Sequence, residues 1–256
     1  MIEYPQIDKY SDIRSPIHSW DPRAKVVGIL CLIFAVVVVP DARMALVGLL
    51  VTMLLVLISR LPLGFVAKRL LLVSPFALSF CLLILFTHEG GDEIARFSFL
   101  SITSDGLERA ALIAVRVMAA ITLTLCMLST MKFETTMKAL EHLKIPTKLI
   151  QLLMFTYRYI FVLVDEFSSM SRSLTSRGFN KGTNMHTMTT LAKMIGMLLI
   201  RSYERADRVY HAMASRGYDG RMETIAEFRM HKTDIVKAIT LIATGLALNL
   251  CCLVGI

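Results

Sequence analysis

The apolar runs of this 256-residue chain are almost free of ionisable groups. Five stretches, Val26–Val39, Met44–Ile58, Leu70–Phe86, Ala110–Thr130 and Ala238–Ile256, contain no Asp, Glu, His or Lys and one Arg, Arg116. A carrier driven by a proton or ion gradient keeps carboxylates or histidines at membrane depth. Their absence argues against that mechanism and leaves the energy for any transport to a partner. A membrane-embedded enzyme is disfavoured on the same ground, because it needs a nucleophile with a base, or metal ligands. Arg116 itself either braces the interior or carries a function. Cysteine is equally uninformative as chemistry: Cys31, Cys81, Cys126, Cys251 and Cys252 all fall in apolar runs without a C-x-x-C spacing. They read as small apolar fillers, with neither a disulfide framework nor a zinc site. The six histidines, His18, His88, His142, His186, His211 and His231, lack the i, i+4 pairing of metal ligands. No metal, cofactor or catalytic residue is assigned. The first twenty residues are polar and hold no apolar leader core.

What the chain has in abundance is apolar surface. Apolar residues make up 55% and charged residues 19%, with a net charge of +8. A water-soluble chain of this length needs a more polar exterior. The composition predicts a bilayer protein and argues against a disordered chain or a nucleic-acid binder. The last three stretches approach the ~20 residues of a spanning helix. The first two, separated by Pro40-Asp41-Ala42-Arg43, read as a tight helical hairpin whose first member is oblique or partly buried in protein. The expected fold class is therefore an all-α membrane protein with about five transmembrane helices. Lys and Arg number four in residues 1–25 (Lys9, Arg14, Arg23, Lys25), three in 59–69 and 16 in 131–234. The intervening loops carry one each, Arg43 and Arg96, the latter among Glu89, Asp92, Glu93 and Asp105. By the positive-inside rule the N-terminus and the basic segment are cytoplasmic and the C-terminus is outside. The organisation expected is a cytoplasmic segment 1–25, four spans in 26–130, cytoplasmic helices in 131–234 and a last span in 235–256.

The basic segment has its own pattern. Phe133, Met137 and Leu140 make one helical stripe. Pro146 suits the first position of a helix running to Arg177, and a second long helix is predicted from near Asn184 to Arg216. The two ends match: Ser176-Arg177-Gly178-Phe179 and Ser215-Arg216-Gly217-Tyr218. Two ordinary glycine caps would read this way. So would a pair of docking plugs, each with a guanidinium for forked hydrogen bonding, a glycine for a sharp turn and an aromatic anchor. Twelve of the 16 methionines lie in 127–230, which suits either a repacking interface or a helical core.

Several segments, in order, carry a resemblance. They are Ser15-Pro16-Ile17-His18, Asp21-Pro22-Arg23-Ala24-Lys25, Gly106-Leu107-Glu108-Arg109-Ala110, Phe155-Thr156-Tyr157-Arg158-Tyr159-Ile160, Asp165-Glu166, Glu204-Arg205-Ala206-Asp207-Arg208-Val209-Tyr210 and Asp219-Gly220. Together with the Ser-Arg-Gly repeats they make the chain resemble the transmembrane coupling (T) component of energy-coupling-factor importers, most closely the cobalt, CbiQ-like branch. The resemblance spans nearly the whole chain. It implies a non-enzymatic subunit in a prokaryotic cytoplasmic membrane. Its implied partners are two ATP-binding cassette subunits, identical in this branch, and a membrane substrate-capture subunit that holds the metal. It implies that Ser176, Arg177, Gly178, Ser215, Arg216 and Gly217 form the two ATPase-docking motifs. The family's usual residue before the arginine is Ala; here it is Ser both times. The implied cargo is cobalt for cobalamin synthesis, with nickel or a vitamin as alternatives. A basic membrane anchor binding anionic lipid is the reading from another class.

Overall fold

In a computed structural model, the residues described are 11, 13, 15–87, 93–97, 100–180, 182–220 and 230–254. Lys9, Arg14, His88, Glu89, Asp92 and Ile256, used in the sequence reading, lie outside them. Eight helices run α1 (Pro22–Val38), α2 (Ala42–Ser59), α3 (Leu63–Thr87), α4 (Ser104–Ser129), α5 (Phe133–His142), α6 (Thr147–Ser176), α7 (Met185–Ala214) and α8 (Lys232–Val254). The helical class is as expected. One exception sits in the third loop, where β1 (Glu93–Phe97) pairs antiparallel with β2 (Leu100–Thr103). Packing divides the chain into two compact units, one holding α1–α4 and α8, the other lying within Leu140–Glu227 and holding α6 and α7.

Five helices are long and apolar enough to cross a bilayer: Ala42–Ser59, Leu63–Leu85, Ser104–Ser129, Thr147–Ser176 and Lys232–Cys252. This set differs from the expected one at two places. Helix α6 qualifies on length and composition although it carries Lys148, Arg158, Asp165, Glu166 and Arg172. Helix α1, at 17 residues, reaches about 26 Å, short of the ~30 Å hydrocarbon core. It is instead the most enclosed helix, with Leu32, Val36 and the following Val39 fully buried. Its start follows directly from sequence: the Asp21 carboxylate accepts a hydrogen bond from the Arg23 amide at 2.9 Å, and Pro22 fills the first turn.

The membrane unit packs α1, α2 and α3 against α4, with α8 laid along α1. Ile29, Leu32, Val36, Ala119, Leu123 and Leu248 form its central cluster. Small residues let α8 approach α1 closely. A Cβ added at Gly245 would lie 2.8 Å from the Ala35 Cβ, and one turn on, the Asn249 side-chain amide donates to the Ala35 carbonyl at 3.1 Å. This is the small-residue, polar-tie packing of helices in lipid. Arg116 takes the bracing role of its two readings: its guanidinium donates to the Val39 carbonyl just past the end of α1, where exposed carbonyls attract a cation. Near the N-terminus of α1, Lys25 is buried and its ammonium donates to the Thr130 carbonyl at 3.4 Å. The Trp20 indole donates to the Asp234 carbonyl at 3.1 Å. The first bond fastens the start of α1 to the end of α4, and the second fastens the segment before α1 to the start of α8.

Candidate functional site

Both Ser-Arg-Gly segments close their helices with one hydrogen-bond pattern. At the end of α6, Gly178 N–H donates to Thr175 and Phe179 N–H to Leu174, at 3.0 and 3.1 Å. At the end of α7, Gly217 N–H donates to Ala214 and Tyr218 N–H to Met213, again at 3.0 and 3.1 Å. Each is a Schellman turn, in which the glycine must take left-handed backbone. Gly178 and Gly217 both sit at φ +83°. A Cβ at either glycine would meet no neighbouring atom, so it is the backbone angle, not crowding, that calls for glycine there. The serines behave alike as well: Ser176 Oγ donates to the Arg172 carbonyl and Ser215 Oγ to that of His211, at 3.1 and 2.8 Å. Their hydroxyls are thus used within each helix. Arg177 and Arg216 occupy the same step of the two turns, and both are exposed with no ion-pair partner among the described residues.

The two helices run antiparallel. Gln151 near the start of α6 meets Tyr218 and Gly220 beyond the end of α7. Further along, the Glu166 carboxylate accepts from Arg201 and, at 3.4 Å, from Arg205. At the far end Arg177 shares a cavity with Thr190 and Lys193. Antiparallel register places Arg177 and Arg216 at opposite ends of the pair, roughly 35–40 Å apart at 1.5 Å per residue. The Glu166 clamp is partly exposed and contributes on the order of 1 kcal/mol. Its larger effect is to hold the two helices in register.

One difference separates the tips, and reading the sequence alone missed it. The Tyr218 hydroxyl donates to Gln151 Oε1 at 2.9 Å, and Gln151 Nε2 donates to the Gly220 carbonyl at 3.2 Å. Gln151 is buried. The chain after Arg216 is therefore latched to α6, whereas Phe179, which follows Arg177, has no hydroxyl to do the same. The only sequence signal was tyrosine in one repeat where the other has phenylalanine. Loss of a buried hydrogen bond that leaves Gln151 unsatisfied costs about 1–3 kcal/mol. Tyr218→Phe should loosen the chain around Arg216, seen as faster amide hydrogen exchange at 216–220 with no change at 176–180. Equal protection in both proteins would mean that the latch does not order this tip.

Of the 16 methionines, Met194 is core while Met185 and Met188 are exposed, so α7 uses methionine both ways. Two of the histidines bond locally: His18 Nδ1 lies 2.6 Å from Ser15 Oγ, and His211 Nε2 lies 3.5 Å from Asp207. Among the described residues no cluster of three His, Cys, Asp or Glu could hold a metal.

Five helices long and apolar enough to cross a bilayer define a multi-pass membrane protein, and two of its helices form an antiparallel pair that ends in twin arginine turns. A family model described as cobalt transport protein, CbiQ, matches residues 14–225. The chain belongs to that family, the transmembrane components of energy-coupling-factor transporters. An energy-coupling factor transporter transmembrane protein EcfT of Bacillus selenitireducens is 28% identical over 224 residues, covering 84% of each chain. The Bacillus subtilis protein of the same description is 29% identical over 232 residues, covering 86% of this chain and 87% of its own. A putative fused cobalt transport protein CbiMQ of Methanocorpusculum labreanum is 29% identical over 174 residues, which is 66% of this chain and 29% of the relative.

Proposed function

We propose that this chain is the non-catalytic coupling subunit of an ATP-driven cobalt importer in a prokaryotic cytoplasmic membrane. The observation that carries the reading is the pair of identically closed, unpartnered arginine tips at opposite ends of one helix pair. Two equal plugs suit a partner with two equal sockets, that is, a pair of identical ATP-binding cassette subunits. Ser176, Arg177, Gly178, Ser215, Arg216 and Gly217 make the two contacts. Closure of the ATPases on ATP displaces both sockets. The Glu166 clamp passes the displacement between α6 and α7, and the membrane helices shift against a substrate-capture subunit that holds the metal. In this reading α5–α7 lie in the cytoplasm. The five charges along α6 disfavour a span, and the alternation of Lys- and Arg-rich segments (residues 1–25, 59–69 and 131–234) with poor ones supports an N-terminus inside and a C-terminus outside. ATP hydrolysis belongs to the partners. Cobalt is favoured over nickel or a vitamin by the family description and by the fused CbiMQ relative.

The test is a pull-down of the tagged chain from native membranes, followed by uptake in the reconstituted complex. ATP-binding subunits and one further membrane protein should co-elute, and ⁵⁷Co²⁺ should accumulate with ATP ahead of Ni²⁺ and a vitamin panel. Elution without any nucleotide-hydrolysing protein would overturn the coupling role. Accumulation of a vitamin but no metal would overturn the cargo alone.

A further inference from the structure

The segment Ser15–Lys25 carries two of the motifs that mark this chain, and the arginine turns make no use of it. Its place is where the chain leaves and re-enters the membrane unit, which breaks off at Ala139 and resumes at Phe228. Two stems therefore carry the insert, one running from the end of α4 into α5 and one leading into α8. The segment holds both. The Lys25 ammonium donates to the carbonyl of Thr130, just past the end of α4, and the Trp20 indole donates to the carbonyl of Asp234 in the first turn of α8. Both donors sit on one stiff piece of chain, because Pro22 and the Asp21 cap on the Arg23 amide fix the backbone between them. Apolar packing reinforces each tie. Ile17 is buried with Val56, Leu61, Val66 and Cys126, and Trp20 is buried against Ala24 and Ala238. Lys25 is the unusual member. It is 1% exposed, yet its ammonium has that one neutral acceptor and no carboxylate partner among the described residues. A buried cation so weakly compensated is destabilising, and a methionine of similar length would fill the space without that penalty. What the ammonium supplies and a methionine cannot is the bond to the first stem.

We propose that Ser15–Lys25 is a joint that makes the two stems of the insert move as one with α1, with Lys25 and Trp20 as its positioning residues. A displacement arriving along either stem is passed to the start of α1, and through α1 to the centre of the membrane unit. Without the joint each stem would move only its own helix, α4 or α8. The linkage stands on the two bonds alone; its use in transmission rests on the coupling role proposed above.

Hydrogen exchange of the full chain in detergent tests the joint without any partner. Trp20→Phe keeps an aromatic ring and removes only the bond to the α8 stem. It should nonetheless speed exchange at residues 130–139 as well as 232–238, by about fivefold, the worth of one such hydrogen bond. Lys25→Met, which cuts only the bond at Thr130, should speed exchange in the same two segments. Residues 46–54 of α2 should keep wild-type protection in both variants. Asn249→Ala removes a different tie between α8 and α1, at Ala35, and should leave 130–139 unchanged. Faster exchange only at the stem whose own bond was cut would make the two ties independent and overturn the joint. An equal rise at 46–54 would reduce the effect to general loosening of the unit and overturn it as well. In the complex reconstituted with its ATP-binding and capture subunits, both variants should keep ATP hydrolysis and lose uptake per ATP about fivefold, the low end of coupling between linked sites. Full uptake per ATP with both stems loosened would refute the transmission role. A wild-type complex with no ATP-driven uptake would instead sink the coupling reading, and the exchange result would still decide the joint.

Discussion

Reversing both tip charges, Arg177→Glu with Arg216→Glu, should remove the ATP-binding subunits from the purified complex and bring metal uptake to background. Each single reversal should retain part of the ATPase. The argument begins with exposure. Both arginines are solvent-exposed with no ion-pair partner among the described residues, and an acid placed at a helix C-terminus costs only about 0.3–1 kcal/mol per end. The variant chain should therefore fold and insert normally, and any loss belongs to the contact. An arginine that anchors an interface contributes about 2 kcal/mol or more on truncation, near thirtyfold in affinity. Reversal adds repulsion from whatever carboxylate it met. A pair of contacts on one rigid partner also gains from effective concentration, so the second loss should cost more than the first. Arg208→Glu provides the charge-matched control for each single reversal, since it is exposed on α7 away from both turns. Undiminished assembly and uptake in the double variant would refute the docking role. Equal loss from Arg208→Glu would show that overall basicity, and not the two tips, holds the partner.

The tips could be read in advance because their determinants are local. A glycine that must take positive φ follows its helix directly in the chain, and the same four-residue chemistry appears twice. One helix start was legible for the same reason: Pro146 marks the beginning of α6 to within one residue. What stayed hidden depends on residues far apart. Gln151 and Tyr218 are 67 positions apart, and Arg116 meets a carbonyl 77 positions away. Glu166 could pair with any of many nearby bases, and nothing in its neighbourhood selects Arg201 and Arg205. The β1–β2 ribbon escaped notice because strands of five and four residues are too short to carry a clear alternation. Helix α6 is a different case. It is long and apolar enough to cross a bilayer, and the proposed cytoplasmic placement rests on the five charges spaced along it.

Gly245→Ala should lower the thermal stability of the detergent-solubilised chain by roughly 2–12 °C, an unusual outcome for a substitution that normally strengthens helices. The propensity gain from Gly to Ala is about 1 kcal/mol. Against it stands the 2.8 Å approach of the new methyl to the Ala35 Cβ, an atom fixed to its own backbone that cannot rotate away. The helices must separate. Overpacking of this kind costs about 1–3 kcal/mol. Separation also stretches the Asn249 bond to the Ala35 carbonyl one turn away, a tie worth about 1 kcal/mol in lipid. It further loosens α1 from α8 around Leu32 and Leu248. A net loss of about 1–3 kcal/mol shifts the midpoint by the stated amount at ~2–4 °C per kcal/mol. Gly28 supplies the contrast, because a Cβ there would meet its nearest atoms at 3.5 Å, ordinary contact distance. Gly28→Ala should leave the midpoint unchanged or raise it. Ala35→Gly in the Gly245→Ala background removes the opposing methyl and should restore most of the loss, a coupling that additive effects cannot produce. If Gly245→Ala is as stable as the wild type, or if Ala35→Gly brings no recovery, the close seam between α1 and α8 is not what holds this membrane unit together.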